Sequence, residues 1–462
     1  MNKNDDICYA IPIGDLVIIY SPLKSILALV NEKVALQIRD EITDNRYPKD
    51  CPAVLRELIK NLENQTVARK PYCRQAFDPA FLGIIPTRSY NIDCIYCDFG
   101  ATKYLNDRLK LEDATVALEW MAEHLLRLNK HVLPIHFFGG EPFVAYDLIK
   151  RIVEEAKNLA EVHNLKTYFQ VSTNGYFSEK RAVEIGRLFN SVVISFDGFR
   201  AFHNVYRPVN NDKGSFEVVE RSAHILNQSS SELRLRCCVT DKSVGSMAKI
   251  SQWFYERFKP NIINFETLKP NAASACQMIS PPNPIDFAIN WYTSMQCIEG
   301  HSCKIIYASA QIDEIKNTFC PVGQDTVIVF PDGNLHSCYL PPEEWKKKNL
   351  GLGIGRLDKD RHINIDYEAA INIRKMVTQK SRCQKCFCRW TCAGGCHVHN
   401  TYPGCSPDYS DFCIQTRIIT LILLLKEIDM QNELNSLMCD RNKLEKIAFR
   451  TDDRILYYNG GN

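Results

Sequence analysis

Twenty cysteines stand in this chain of 462 residues, and they are unevenly spread. Nine lie between Cys320 and Cys413, and five of those between Cys383 and Cys396. Thiols that close along a chain cannot all pair as disulfides with distant partners, but they readily surround metal. Cys320 is followed by twelve residues, Gly333, four more and Cys338; then come Cys383-x2-Cys386-x5-Cys392-x3-Cys396 and finally Cys413. Such thiols hold iron–sulfur clusters or zinc, and their types alone leave both open. A second pair, Cys94 and Cys97, sits in the loop PTRSYNIDCIYCDFG after a predicted strand, where both thiols can reach one metal centre. A zinc knuckle or two unliganded thiols would have the same spacing.

Polar and glycine-rich clusters recur further along. In HFFGGEPF, Gly139 and Gly140 allow close backbone approach, Glu141 adds an acceptor, and Pro142 suits a helix start. That set can grip an ammonium group through carbonyls and a carboxylate; alone, it is also an ordinary βα turn. VSTNG carries Ser172, Thr173, Asn174 and Gly175, and SFDG carries Ser195, Asp197 and Gly198, followed by His203 and Arg207. Arg236 and Glu266 lie on two further predicted strands. Singly these residues cap helices or make turns. Six successive strands ending this way predict a converging polar site.

The elements that must position them alternate. Predicted strands cover Phe81–Thr87, Leu133–Phe138, Thr167–Ser172, Val192–Ser195, Leu233–Val239 and Ile262–Glu266, and helical periodicity fills the intervals, as in Leu111–Leu128 and Leu148–His163. Six βα repeats predict an α/β fold, a parallel sheet whose right-handed crossovers curl it into a barrel or partial barrel, with chemistry at the strands' C-terminal ends. Ahead of it, Leu16–Tyr20 and Ile26–Val30 read as strands, and Lys33–Ile42 and Ala53–Asn64 as helices. Pro71 and Pro79 bracket the passage to the barrel, and a helical stretch runs from Ile414 to about Leu437.

With the motifs in this order, residues 80 to 415 resemble the radical S-adenosylmethionine (SAM) enzymes with a C-terminal SPASM iron–sulfur domain, in particular peptide maturases. The resemblance implies a partial (βα)6 barrel, a 4Fe–4S cluster held by three cysteines of a C-x3-C-x2-C loop, and SAM bound at its fourth iron. Electron transfer would cleave SAM to a 5′-deoxyadenosyl radical that takes a substrate hydrogen. Carried over, Cys94 and Cys97 are cluster ligands, and Tyr96 lies near the adenine. Gly139, Gly140 and Glu141 hold the methionine amino group, and Ser172, Asn174, Ser195 and Arg236 are candidates for ribose and carboxylate contacts. In the cysteine-rich region, Cys383, Cys386, Cys392 and Cys413 would hold one auxiliary 4Fe–4S cluster. Cys320, Cys338 and Cys396 would hold another, with Cys303 a candidate fourth ligand. Cys388 and Cys405 are extra to the pattern and read as small buried residues.

The chain departs from the family at position 90, where the first loop cysteine is expected and Tyr90 stands. Tyr90 ligating iron as a phenolate, a cysteine outside the loop such as Cys73, and a lost cluster are all compatible with the sequence. The last makes the chain an iron–sulfur peptide-binding protein without radical activity. Sulfatase-maturating relatives place an Asp directly after the second SPASM cysteine; here Tyr339 follows Cys338, which disfavours that branch.

The expected organisation is an N-terminal hairpin-plus-helices module over 1–75, similar in pattern to leader-peptide recognition domains, the barrel over 76–300, the SPASM region over 301–415, and a helical segment over 416–462. The implied substrate is a ribosomally made peptide receiving a thioether or carbon–carbon crosslink, and the implied electron donor a flavodoxin or ferredoxin. A formal net charge of +2 gives no electrostatic reason to expect nucleic acid or an anionic membrane. The acidic start MNKNDDICYAIPIGD is unlike a secretory signal, and no apolar run approaches a membrane span, so a cytoplasmic protein is expected.

Overall fold

A computed structural model describes residues 8–44, 53–63, 77–97, 107–209, 213–269, 278–375, 380–398 and 410–460. Cys73 and Cys405 lie outside the described residues.

Strands β1 (Tyr9–Ile13), β2 (Leu16–Ser21) and β3 (Ile26–Asn31) form an antiparallel sheet in that order, followed by helices α1 (Glu32–Asp44) and α2 (Ala53–Glu63). The sequence reading missed β1. Its outer edge is covered by the far end of the chain: Ala10 N–H donates to the Asp453 carbonyl at 2.8 Å, and Ile455 N–H to the Cys8 carbonyl at 3.0 Å. Ile455 and Tyr458 then pack into this module's core beside Ala10, Val17 and Ile38. A strand edge leaves backbone groups unpaired, and this tail satisfies them.

Among the described residues the main sheet has eleven strands. Its parallel part contains β4 (Phe81–Ile84), β5 (Val132–Phe137), β6 (Lys166–Thr173), β7 (Ser191–Ser195), β10 (Glu232–Val239) and β11 (Ile262–Thr267), with β12 (Lys304–Ile306) beyond β11. A short hairpin, β8 (Pro208–Val209) with β9 (Lys213–Gly214), stands apart from it. All six predicted barrel strands are present. Helices Leu111–Arg127 and Tyr146–Val162 occupy two of the predicted intervals. On the other side of β4 the sheet continues through β13 (Thr326–Val329), parallel to β4, and then antiparallel through β14 (Asn334–His336), β15 (Gly353–Leu357) and β16 (Ile363–Ile365). The cysteine-rich region thus adds its strands directly to the barrel sheet.

The two-residue period of each strand sorts its side chains. Along β10, Leu233, Leu235, Cys237 and Val239 are buried in the core, and along β7 Val192 and Ile194 are. The alternate residues, Val193, Ser195, Arg236 and Cys238, therefore face the inside of the curved sheet. Near the C-terminus, helix Asp411–Glu427 is capped by Ser410, whose hydroxyl accepts the Cys413 N–H, which fixes Cys413 in the first turn. The stretch predicted as one helix breaks after Glu427 and resumes at Gln431–Met438, with a further helix at Arg441–Ala448.

Candidate active site

The inner face and strand ends enclose a cavity of about 460 Å³. Cys94, Tyr96, Cys97, Gly139, Gly140, Ser172, Asn174, Ser195 and Arg236, scattered over more than a hundred residues of sequence, all line it. So do Cys320, Cys338 and Cys396 from the cysteine-rich region. The topology explains this: β13 beside β4 brings the chain around Cys320 and Cys338 over the barrel mouth.

The Cys94–Cys97 loop is held from strands β7 and β10. Asp197, fully buried, accepts the Tyr96 hydroxyl at 2.6 Å, Arg207 Nε at 2.8 Å and the Cys238 N–H at 3.0 Å. Burial opposes its charge most strongly, but the Arg207 guanidinium, His203 and the hydrogen bonds from Arg207 and Tyr96 together outweigh it and hold the carboxyl below its ordinary value. Arg207 also donates to Tyr96 and stands 3.6 Å from Cys94 Sγ. Burial raises the Cys94 thiol to about 12, with Arg207 acting in the opposite sense.

Tyr90 occupies the place of the missing thiol. Its hydroxyl is 3.4 Å from Cys97 Sγ, and burial, reinforced by Cys97, pushes its ionisation well above that of a free phenol. Within the described residues the loop therefore offers two thiols and a neutral phenol. That fits a three-thiolate cluster site at two of its three positions.

Glu141 is placed differently from its two glycines. Gly139 and Gly140 line the cavity, whereas the Glu141 carboxylate lies behind them, accepting Thr173 Oγ1 at 2.8 Å, Asn174 N–H at 2.7 Å and Phe143 N–H at 3.1 Å. It fastens the end of β6 to the turn after β5. Burial raises it to about 7, against the pull of those three donors. Asn174 in turn donates to Asn91 at 2.8 Å, tying the loop to β6. Arg236 pairs with Glu266, so both charges face the cavity as a neutralised pair.

The remaining thiols form the two expected groups. Cys383, Cys386, Cys392 and Cys413 line one small cavity together, with Arg417 and Cys388. Cys320, Cys338 and Cys396 form the other group on the wall of the main cavity. Among the described residues, no three His, Cys, Asp or Glu side chains are close enough to hold one metal ion. Cys303 is buried just before β12, its Sγ 3.9 Å from the Lys304 carbonyl, and does not line the cavity that Cys320, Cys338 and Cys396 share.

Two further residues line the cavity. Lys269 lines the main cavity and an adjoining chamber of about 210 Å³, its ammonium 5.2 Å from the Phe412 ring. Tyr339, the residue after Cys338, lies in the wall against Phe138, its hydroxyl buried and without a hydrogen-bond partner among the described residues.

Comparison with known proteins matches this geometry. Residues 84–239 match the family described as the Radical SAM superfamily. This match covers about a third of the chain, and the fold is the partial barrel with a cysteine-rich extension expected from the motifs. It is 27% identical over 185 residues to an uncharacterised protein of Methanocaldococcus jannaschii, covering 40% of this chain and 61% of that one. It is 26% identical over 157 residues to the radical SAM cyclopropyl synthase TigE of Paramaledivibacter caminithermalis, covering 31% of this chain and 32% of TigE. The matches thus span less than two thirds of either relative. Among solved structures, native anSMEcpe with bound AdoMet and Kp18Cys peptide superposes with a TM-score of 0.59 at 19% identity, over 77% of this chain and 99% of the other. Streptococcus suis SuiB bound to precursor peptide SuiA gives 0.52 at 14% identity, over 84% and 96%. No helix among the described residues is long and apolar enough to cross a membrane.

Proposed function

We propose that this chain is a radical SAM peptide maturase with two auxiliary 4Fe–4S clusters, acting on a ribosomally made peptide to form a thioether or carbon–carbon crosslink. The observation that carries the reading is the shared cavity: the residues suited to SAM and three thiols suited to an auxiliary cluster line one space. When bound, a 4Fe–4S cluster and SAM supply a one-electron cleavage that yields a hydrogen-abstracting radical. The chain's own part is to bind and shield. Gly139 and Gly140 lie open to a methionine amino group, Glu141 orders their turn from behind, and Ser172, Asn174 and Ser195 offer hydroxyl and amide groups to a ribose or carboxylate. Tyr96, fixed by Asp197 and Arg207, forms a wall for an adenine. Cys94 and Cys97 would hold the SAM-binding cluster; Cys383, Cys386, Cys392 and Cys413 one auxiliary cluster; and Cys320, Cys338 and Cys396 the other. A peptide substrate is supported by the neighbours solved with peptides bound, and by an N-terminal sheet in which β3, among the described residues, is an edge strand suited to pairing with an extended segment. A cytoplasmic setting with a flavodoxin or ferredoxin donor fits free thiols and low-potential clusters.

Tyr90 favours a second reading, an iron–sulfur peptide-binding protein without radical activity. One experiment separates the two. The protein is reconstituted anaerobically with iron and sulfide, given SAM and dithionite, and assayed for 5′-deoxyadenosine. Product supports the maturase. Its absence from protein carrying about eight irons, as two 4Fe–4S clusters require, supports the second reading.

A further inference from the structure

Arg417 is the largest charged side chain sealed in this fold, about 1% exposed. It follows Cys413 by four residues on helix Asp411–Glu427, so the two share a face. Its Nη1 donates to Cys386 Sγ at 3.3 Å. The guanidinium is held there by Asp453, at 2.5 Å from Nη1 and 3.0 Å from Nη2, by the Ile447 carbonyl at 2.8 Å, and by the Phe387 ring, 4.7 Å away. Asp453 also grips both chain neighbours of Cys386: its carboxylate accepts the Phe387 N–H at 3.0 Å, and its own N–H donates to the Lys385 carbonyl at 2.9 Å.

A buried ion pair is a poor source of stability, since well-packed apolar residues of similar volume often do as well. Placing one against a thiol has a different consequence. A hydrogen bond and a positive charge at a ligand sulfur favour the state with more negative charge, which for an iron–sulfur cluster is the reduced one. We propose that Arg417 is a positioning residue that orients Cys386 and raises the reduction potential of the cluster held by Cys383, Cys386, Cys392 and Cys413. This rests on the auxiliary-cluster reading above.

The test uses full-length, anaerobically reconstituted protein and a redox titration followed by electron paramagnetic resonance. R417Q/D453N removes both charges while keeping hydrogen-bonding shapes, so no buried charge is left alone. R417K keeps the charge but not the fork, and carries the test if the double variant does not load with iron. In R417Q/D453N, one cluster should show an approximately tenfold lower reduced-to-oxidised ratio at fixed ambient potential, about 59 mV for a one-electron couple. R417K should shift the same cluster in the same direction by less, and the other cluster signals serve as unmoved references. A purely structural role would lower thermal stability and leave the potential in place. Unchanged potentials in loaded R417Q/D453N and R417K overturn the proposal while the cluster reading stands. If C383A/C386A removes no iron from the native protein, the cluster reading itself fails, and the proposal with it.

Discussion

Replacing Asp197 with alanine removes the only carboxylate that the fully buried Asp197–Arg207 pair contains, and the cost can be worked from its contacts. Arg207 loses the partner at 2.8 Å, and the Tyr96 hydroxyl and Cys238 N–H lose an acceptor at 2.6 and 3.0 Å. Breaking a buried ion pair by removing one partner costs about 3–5 kcal/mol, and each abandoned buried donor about 1–3 kcal/mol where water cannot reach it. D197A should therefore fall at the upper end of the ion-pair range. D197N keeps an acceptor oxygen for Tyr96 or Cys238, and should cost less. D197A/R207M removes the stranded cation as well, so its cost should fall short of the sum of the two single changes by at least about 1 kcal/mol. The assay is urea unfolding of the reduced protein, followed by fluorescence, with alkylation of Cys94 as a local readout. Because Arg207 and Tyr96 hold the cysteine loop, Cys94 should react faster in D197A than in the native chain at urea concentrations where both remain folded. A loss below about 1 kcal/mol in D197A, or strict additivity in the double variant, would refute the argument that this pair anchors the loop.

Y90C places a third thiol beside Cys97: on the maturase reading the native chain already holds all three clusters and iron per chain stays the same, whereas a gain of about four irons per chain would overturn that reading in favour of the second. His203 is fully buried, and burial, aided by Arg207 and opposed by Asp197, lowers it to about 3, against roughly 6.5 in an unfolded chain. The unfolded chain therefore binds the extra proton first, so stability is lost as the pH falls below about 6.5, by roughly 3 kcal/mol at pH 4. H203N can still accept the Asp197 N–H and should flatten the pH dependence of the urea midpoint between pH 6.5 and 4; an unchanged slope would assign the acid sensitivity to other groups. A Cβ on Gly140 would overlap the Ser89 carbonyl oxygen, so G140A should destabilise by about 1–3 kcal/mol and weaken SAM binding measured by equilibrium dialysis, and native-like values in both would contradict the close packing of these two turns.

The parallel core was readable because each strand buries alternate side chains and ends in a turn with its own chemistry; boundaries from β5 to β11 fall within one or two residues of the periodicity. β1 was not readable, since Tyr9–Ile13 gains its edge partner from residues 453–455, which no local pattern announces. β13 looked like part of a separate region, yet pairs with β4, a contact between segments more than two hundred residues apart. At the site, motif order identified the cavity-lining residues, but not the division of labour within GGEP, where the glycines face the cavity and Glu141 faces the protein. Arg417 and Asp453 were invisible for the same reason as β1: their meaning comes from neighbours distant in sequence.

Those distant neighbours also constrain how the parts can work together. Asp453 touches both flanks of Cys386 through Lys385 and Phe387, and its carbonyl accepts the β1 backbone at Ala10. Asp453 thus touches both the N-terminal sheet and one thiol group. On the proposed reading, a peptide pairing with β3 would load a sheet whose opposite edge is bonded to the Asp453 segment, while Cys320, Cys338 and Cys396 look into the same cavity as Cys94 and Cys97. The arrangement makes the N-terminal sheet, the cysteine-rich region and the barrel mouth one connected frame.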